Sequence, residues 1–285
     1  MIGDKLRLLV LTHGSNKAAM IIERLITLSC AEIAGIFIET EQSPRRYSLT
    51  EKIKRSIRYD GYVSTMTRII KRLTSASLAD TGPSLNSHNR LREIAGAHHV
   101  PVHFVSNYHL PDSIEKMRAV EPDLGVVLGT NILKENVFAL PRLGSINIHQ
   151  GLTPYYRGGP PVFWELFNGE SEVGLTVHFV AAKVDTGDVI AQDKLPLVYD
   201  HSYGLNYEAF IADYRERLYA RAAELVPQTI QLIAEGSVTP IPQNIELGKR
   251  YRLPLKKEKD ELRRRLRERM MEKRSLSVNN VGVEN

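Results

Sequence analysis

Three polar side chains whose types suit acyl transfer lie within the segment from Gly144 to Ile190. Asn147 and His149 are two residues apart in an apolar run that predicts a β-strand, so both point to the same face of that strand. Asp185 opens an Asp-Thr-Gly turn after a later strand. An amide can donate a hydrogen bond to an oxyanion, an imidazole can move protons near neutral pH, and a carboxylate can orient or deprotonate. Spacing alone leaves two interpretations open: an acyl-transfer site, or a strand histidine that makes only structural hydrogen bonds.

The elements that would position these side chains alternate between apolar runs and helical stretches. The runs that predict strands are Arg7–Thr12, Glu32–Ile38, Val102–Val105, Asp123–Gly129, Ser145–His149, Gly174–Val180 and Val189–Leu195. Helices are predicted from about Pro161 to Asn168 and from Tyr207 to Ala234. Continuous apolar strands separated by helices are typical of a parallel sheet with helices on both faces. The sequence therefore predicts an α/β fold.

Composition excludes several classes of protein. Of the 285 residues 42% are hydrophobic and 25% are charged, which excludes a wholly disordered or collagen-like chain. The single cysteine, Cys30, excludes an intramolecular disulfide and a cysteine-cluster metal site. The apolar runs are too short to span a membrane, and the N-terminus has the pattern of a first strand rather than of a signal peptide. We therefore expect a cytoplasmic protein with no membrane partner.

Positive charge is concentrated towards the C-terminal end of the chain. Between Lys249 and Arg274 there are thirteen Lys and Arg against five Asp and Glu, whereas the whole chain has a formal net charge of +5. Leu262, Leu266 and Met270 are spaced by four in this helix-forming segment. We expect a solvated helix whose thin apolar stripe docks on the body of the protein or on a second subunit, which leaves a homodimer open. Charge attraction to an acidic surface or a nucleic acid is the alternative.

Several motifs of different type follow one another in an order that resembles the folate-dependent formyltransferase family. This family includes the glycinamide ribonucleotide, methionyl-tRNA and sugar-nucleotide N-formyltransferases. The motifs are SINIH, PYYRG, FWELFNGE, GLTVHFV and VDTGDVIAQ, and the resemblance covers about Lys5–Gly236. It implies a Rossmann-like formyltransferase domain, with a mostly parallel sheet flanked by helices, and a helical C-terminal extension.

The domain organisation that we expect follows from this resemblance. The catalytic domain covers residues 1–197, a helical completion of it covers residues 198–242, and a basic helical tail covers residues 243–285. Within the catalytic domain, residues 43–87 carry many basic residues and hydrophobic residues at loosely helical spacing, which predicts a helical insertion. The sequence assigns no role to the insertion or to the tail.

The resemblance also implies a reaction and roles for the three polar residues. The formyl group of the co-substrate 10-formyltetrahydrofolate would pass to a primary amine, and no metal is required. Asn147 would donate a hydrogen bond to the developing oxyanion. His149 would stabilise the same oxygen and help to transfer protons. Asp185 would take the amine proton, directly or through water, and hold the imidazole in place.

Binding residues for the folate are implied mainly after the fourth predicted strand. The resemblance assigns the pterin head, largely through backbone groups, to Gly129, Thr130, Asn131, Ile132 and Leu133, with Val184 closing the other side. The alternative is an ordinary strand end followed by a helix start.

Candidate residues for binding the amine substrate carry weaker signals. Gly14, Ser15 and Asn16 follow the first strand and precede a helix, so their backbone amides could hold a phosphate; helix capping by Ser15 or Asn16 is the alternative. Arg157 and Gly158 could shape their loop or meet an anionic substrate, or could belong to an ordinary surface loop. His178 could lie near the site or be a structural strand histidine.

The expected acceptor is a small amine that is phosphorylated or linked to a nucleotide, such as an amino sugar or glycinamide ribonucleotide. The methionyl-tRNA enzymes have a further C-terminal barrel, whereas the residues after the catalytic domain show little strand pattern. This disfavours a methionyl-tRNA acceptor, which stays the alternative. A folate-binding regulatory module without catalysis is a further alternative, which the presence of all three polar residues disfavours. The identity of the acceptor and the oligomeric state stay open.

Overall fold

The computed structural model describes residues 5–41, 48–74, 85–199 and 201–281. The strands are β1 (Leu6–Thr12), β2 (Ala31–Glu39), β3 (Val102–Val105), β4 (Leu124–Leu128), β5 (Ser145–His149), β6 (Tyr156–Arg157), β7 (Glu172–Phe179), β8 (Val189–Pro196) and β9 (Lys249–Arg250). The helices are α1 (Asn16–Ile26), α2 (Leu49–Asp60), α3 (Tyr62–Thr74), α4 (Leu85–Ala97), α5 (Pro111–Ala119), α6 (Glu135–Phe138), α7 (Phe163–Asn168), α8 (Tyr207–Ala234) and α9 (Lys256–Val281). Over the described residues, none of the helices is both long and apolar enough to cross a membrane.

The predicted insertion, residues 43–87, is described in part. It contains α2 and α3, and α4 begins at its end. Residues 43–47 and 75–84 of the insertion lie outside the described residues, as do residues 282–285 of the predicted tail. The domain boundaries drawn from the sequence therefore stay a prediction.

One seven-stranded sheet organises the described residues, with the strand order β3-β2-β1-β4-β5-β7-β8. The pairs among β1 to β5 are parallel, whereas β7 pairs antiparallel with both β5 and β8. This confirms the predicted α/β fold with a mostly parallel sheet. Because β2 and β3 lie on one side of β1 and β4 on the other, the strand order reverses between β1 and β4. Sheets of this kind bind ligands at the carboxyl ends of the strands beside such a reversal.

The apolar run in β1 shows why the strands carry continuous hydrophobic residues. Leu8 and Val10 belong to a core cluster on one face of the sheet, whose helical members come from α1, α4 and α8. Leu9 and Leu11 belong to a cluster on the other face, with Tyr108 and residues of α5 and α6. Successive side chains of a strand point to opposite faces, so a strand covered on both sides is apolar throughout. Full burial of one such side chain stabilises the fold by about 1.5–3 kcal/mol.

The tail helix α9 docks on the body of the same chain. Leu262 and Leu266 are each 1% exposed and belong to a core cluster with residues of α7, β7 and α8. At the start of α9, Lys259 forms a 3.1 Å ion pair with Asp60 of α2, which joins the tail to the insertion. The sequence left open whether the apolar stripe of α9 packs on the body of the protein or on a second subunit. At Leu262 and Leu266 the stripe packs on the body of the same chain.

Candidate active site

Strand β5 presents the first two predicted catalytic side chains. Asn147 and His149 lie two residues apart on β5, between parallel β4 and antiparallel β7. The register of β5 and β7 places His178 opposite Asn147, so that Asn147 Nδ2 lies 3.4 Å from His178 Nε2. His178 Nδ1 lies 2.7 Å from the carbonyl oxygen of Phe179, which holds the ring in place. His178 therefore supports Asn147 directly.

Asp185 lies beside His149 and His178 because it is in a turn whose backbone has an uncommon, left-handed conformation. Its φ is 53°, in the left-handed region that aspartate tolerates better than most residues. At Gly187 a Cβ atom would fall on the Phe179 carbonyl oxygen, so the close approach of the chain requires glycine there. The turn brings Asp185 Oδ2 to 3.3 Å from His149 Nδ1 and Oδ1 to 3.5 Å from His178 Nε2. The side chains of Asp185, His149 and His178 are 10%, 12% and 2% exposed.

The loop after β5 completes the site with backbone groups. The Gly158 N–H donates a 2.8 Å hydrogen bond to Asp185 Oδ2, and the Tyr156 carbonyl oxygen lies 2.8 Å from His149 Nε2. Between them, Arg157 is 8% exposed. Its guanidinium donates to the backbone carbonyls of Pro154, Ile245 and Gly248. These contacts indicate that Arg157 anchors the loop rather than meeting a substrate.

The pKa shifts in this cluster have opposing causes. Burial raises the pKa of Asp185, but its contacts with His178 and His149 and the Gly158 N–H outweigh burial and lower that pKa to about 2. Burial lowers the pKa of His149, and the Asp185 carboxylate and the Tyr156 carbonyl oppose this effect. In the neutral His149 ring the proton lies on Nε2, which faces a carbonyl, so the Nδ1 lone pair faces an ionised carboxylate. The His149–Asp185 pair can therefore accept one proton.

A cleft of about 240 Å³ opens beside this cluster, at the carboxyl ends of β1 and β4. Asn147, His178 and Asp185 line it. Every residue predicted to bind the folate also lines it, namely Gly129, Thr130, Asn131, Ile132, Leu133 and Val184. The cleft thus lies where the strand order reverses, as ligand sites in such sheets do.

The three residues predicted to hold a phosphate occupy the start of α1. Ser15 lines the cleft and caps α1, because its side chain accepts a hydrogen bond from the Ala18 N–H at 3.2 Å. The Gly14 N–H donates to Thr12 Oγ1 at 3.0 Å, and Asn16 is the first residue of α1. The capping alternative is thus observed for Ser15, and Gly14 uses its amide within the chain. Phosphate binding at this helix start stays a prediction.

Some contributors to the site were not predicted from the sequence. They are the Tyr156 carbonyl, which holds His149, and Tyr219 of α8, which lines the cleft. Gly158 was predicted to shape its loop, but the hydrogen bond from its N–H to Asp185 was not. Backbone groups have no side-chain signature, and an aromatic residue within a long amphipathic helix is ordinary. The PYYRG motif indicated the loop, but it did not indicate that the Tyr156 carbonyl oxygen and the Gly158 N–H make the contacts.

The sheet and the polar cluster define an α/β protein with a site suited to acyl transfer. Residues 82–222, about half of the chain, match the formyl transferase family. The methionyl-tRNA formyltransferase of Parabacteroides distasonis is 36% identical over 130 residues, which are 46% of this chain and 38% of that protein. The chain spans about half the length, or less, of the curated relatives it matches.

Two solved structures share the fold. Glycinamide ribonucleotide transformylase 1 from Symbiobacterium toebii has a TM-score of 0.56 and 20% identity, over 84% of this chain and 95% of that chain. The N-formyltransferase from Helicobacter canadensis, in complex with folinic acid and dTDP-3-aminofucose, has a TM-score of 0.51 and 16% identity, over 87% and 71%. At these identities the likeness shows the fold alone.

Proposed function

We propose that this protein transfers the formyl group of 10-formyltetrahydrofolate to a primary amine. The observation that carries the proposal is one polar cluster at the cleft: Asn147 and Asp185 line the cleft, and His149 lies 3.3 Å from Asp185. The family match over residues 82–222 supports formyl transfer as the chemistry. The likeness of fold to other formyltransferases is consistent with it.

The cleft fits the folate in its chemistry. Gly129 to Leu133 provide a strand end and the loop after it, and Val184 lies on the opposite side. Backbone N–H and carbonyl groups suit the donors and acceptors of a pterin ring, and apolar side chains suit its faces. When bound there, 10-formyltetrahydrofolate supplies an activated formyl group.

Asn147 is the hydrogen-bond donor for the oxygen that gains negative charge during transfer. A side-chain amide carries two N–H groups, and one of them is directed at His178 Nε2. The second is available to the substrate oxygen. Because the amide is held in place before reaction, it stabilises the charge without rearrangement, and the loss of such a donor costs a factor of about 100–1000 in rate.

The His149–Asp185 pair receives the proton that the attacking amine loses. With a pKa of about 2, Asp185 alone is a weak base at neutral pH. The neutral His149 ring presents its Nδ1 lone pair 3.3 Å from the carboxylate, so a proton taken up there is shared by both groups. The role proposed for Asp185 is therefore to keep the pair negative and to orient His149, rather than to act as the base on its own.

The acceptor that we propose is a small amine that is phosphorylated or linked to a nucleotide, such as an amino sugar or glycinamide ribonucleotide. Methionyl-tRNA is the second candidate, favoured by the 36% identity with a methionyl-tRNA formyltransferase. A folate-binding module without catalysis is the outcome if no amine reacts.

A panel of acceptors with 10-formyltetrahydrofolate tests this proposal. Glycinamide ribonucleotide, nucleotide-linked amino sugars and methionyl-tRNA are incubated with the protein, and tetrahydrofolate release and product mass are followed. We expect a formylated small amine, lost in Asn147→Ala, His149→Ala and Asp185→Ala. Asp188→Asn, at an exposed residue three positions after Asp185, is the matched control that retains activity. Folate binding without turnover on any amine would contradict formyl transfer, and turnover on methionyl-tRNA alone would establish the second candidate.

A further inference from the structure

A second cavity, of about 720 Å³, lies apart from the folate cleft, between α2, the loop after Gly158, α8 and the start of α9. We call it the α2–α8 pocket. Its floor is apolar, since Phe163, Tyr207 and Ile211 are 3%, 2% and 6% exposed. Its volume lies within the range of about 300–1,000 Å³ that small-molecule sites occupy.

The rim of the α2–α8 pocket is positively charged. Its cations are Lys52, Arg55, Arg215 and Lys259, and its carboxylates are Asp60 and Glu208. Both carboxylates are engaged in ion pairs: Asp60 with Lys259 at 3.1 Å, and Glu208 with Arg263, which is outside the lining, at 2.5 Å. Lys259 is paired with Asp60, and the Arg215 guanidinium donates to the Pro161 carbonyl, so the excess of positive charge at the rim lies mainly on Lys52 and Arg55.

Aromatic rings accompany these cations. Tyr59, Phe163 and Tyr207 line the pocket, and the Arg55 guanidinium lies 5.4 Å from the centre of the Tyr59 ring. Guanidinium and ammonium groups bind phosphate oxygens through charge-assisted hydrogen bonds. Aromatic and guanidinium planes stack on nucleobases, whatever the base. Phe163 and Tyr207 are almost fully buried and form only the apolar floor, so the planes that can stack on a nucleobase are the Tyr59 ring and the Arg55 guanidinium. Together with the cationic rim they suit a nucleoside bearing phosphates.

The α2–α8 pocket is a neighbour of the reaction site along two paths. On α8, Arg215 lines the pocket and Tyr219, one helical turn or about 6 Å further on, lines the folate cleft. In the loop after β5, Gly158 donates to Asp185, and Pro160 two residues later lines the pocket. The pocket and the reaction site thus share two chain segments, α8 and the loop after β5.

We propose that the α2–α8 pocket binds the nucleoside diphosphate part of the formyl acceptor and directs its amine to Asp185. The role of the ligand rests on the proposed function, whereas binding itself does not. Residues of α2, in the insertion, and of the start of α9, in the tail, line the pocket. Under this proposal the insertion and the tail both contribute to binding the acceptor.

Isothermal titration calorimetry of the full chain with UDP, dTDP and ADP tests the site, with inorganic phosphate as a separate probe. We expect saturable binding of the nucleotides and weaker binding of phosphate. Lys52→Glu and Arg55→Glu each weaken nucleotide binding by at least about tenfold, since a charged hydrogen-bonding partner is lost. Lys54→Glu, which makes the same change of charge on an exposed face of α2 outside the pocket, is the control and retains affinity.

Asp185→Asn separates this inference from the proposed function, because it removes formyl transfer and leaves nucleotide binding intact. Nucleotide binding without formylation of any amine would contradict the proposed function alone. Formylation of an amine by a protein that binds none of the nucleotides would overturn the inference alone. Phosphate binding as tight as nucleotide binding, binding of tRNA only, or equal losses in Lys52→Glu and Lys54→Glu would also overturn it.

Discussion

The backbone N–H of Gly158 donates a 2.8 Å hydrogen bond to Oδ2 of Asp185, across 27 residues of sequence. Gly158 has a φ of 70° and Asp185 a φ of 53°, so two left-handed backbone positions meet at this contact. The contact joins the loop after β5 to the turn after β7. The same carboxylate oxygen faces His149 Nδ1, so the geometry of the proton-accepting pair depends on both segments.

Asn147→Ala should lower kcat by about 100–1000-fold, because the amide donor for the developing oxyanion is lost. Folate affinity should change little, since backbone groups after β4 provide most of the proposed binding. Steady-state kinetics and a folate titration measure the two effects. Asn136→Ala, at an exposed position on α6, should leave both unchanged. A loss of folate binding equal to the loss of rate would refute an oxyanion role for Asn147.

His178→Ala should lower kcat less than Asn147→Ala, because His178 acts only through its contacts with Asn147 Nδ2, at 3.4 Å, and Asp185 Oδ1, at 3.5 Å. The effects should not add: in the double variant the second substitution should cost much less than it does alone, since coupled residues give interaction energies of about 0.5–3 kcal/mol. Kinetics of the four proteins of this double-mutant cycle measure the coupling. Additive effects, or a KM effect without a kcat effect, would show that His178 does not position the amide.

The stability difference between the wild type and Asp185→Asn should depend on pH. The pKa of Asp185 in the folded protein, about 2, lies below its ordinary value of 3.8, so the unfolded state binds the proton more readily. The ionised carboxylate therefore contributes about 2 kcal/mol of stability above pH 4, and this contribution is lost as the pH falls towards 2. Urea unfolding of both proteins at pH 5, 4 and 3 measures it. A difference that stays constant over this range would mean that the pKa of Asp185 is not lowered.

Leu266→Ala should destabilise the whole protein, because this side chain is 1% exposed within the cluster that joins α9 to α7 and α8. Truncation of a buried leucine costs about 2–5 kcal/mol. The free energy of unfolding from urea titration measures the effect. Arg267→Ala, at the next and exposed position, should change that free energy by no more than about 0.5 kcal/mol. If the two variants were equally stable, α9 would not pack against α7 and α8 in solution.

Local pattern was sufficient to predict most elements. Ser145–His149, Val102–Val105 and Tyr207–Ala234 have the observed bounds, because short apolar runs next to turn residues and a long helix-forming stretch are local signals. The helix predicted from about Pro161 begins at Phe163 instead, since Val162 has a left-handed φ of 71° that interrupts the helical backbone. Periodicity does not report the backbone conformation of a single residue.

The sequence by itself determined the α/β fold and the three polar residues of the site, since motif order and the period of apolar residues are local properties. Only the tertiary structure decided how they meet. The contact between Asn147 and His178 depends on the register of the antiparallel strands β5 and β7. The position of the Asp185 carboxylate depends on the hydrogen bond from the Gly158 N–H. The α2–α8 pocket depends on helices some 200 residues apart in the chain, joined by Lys259 and Asp60. Backbone atoms and contacts between distant segments leave no local pattern, so packing alone settles them.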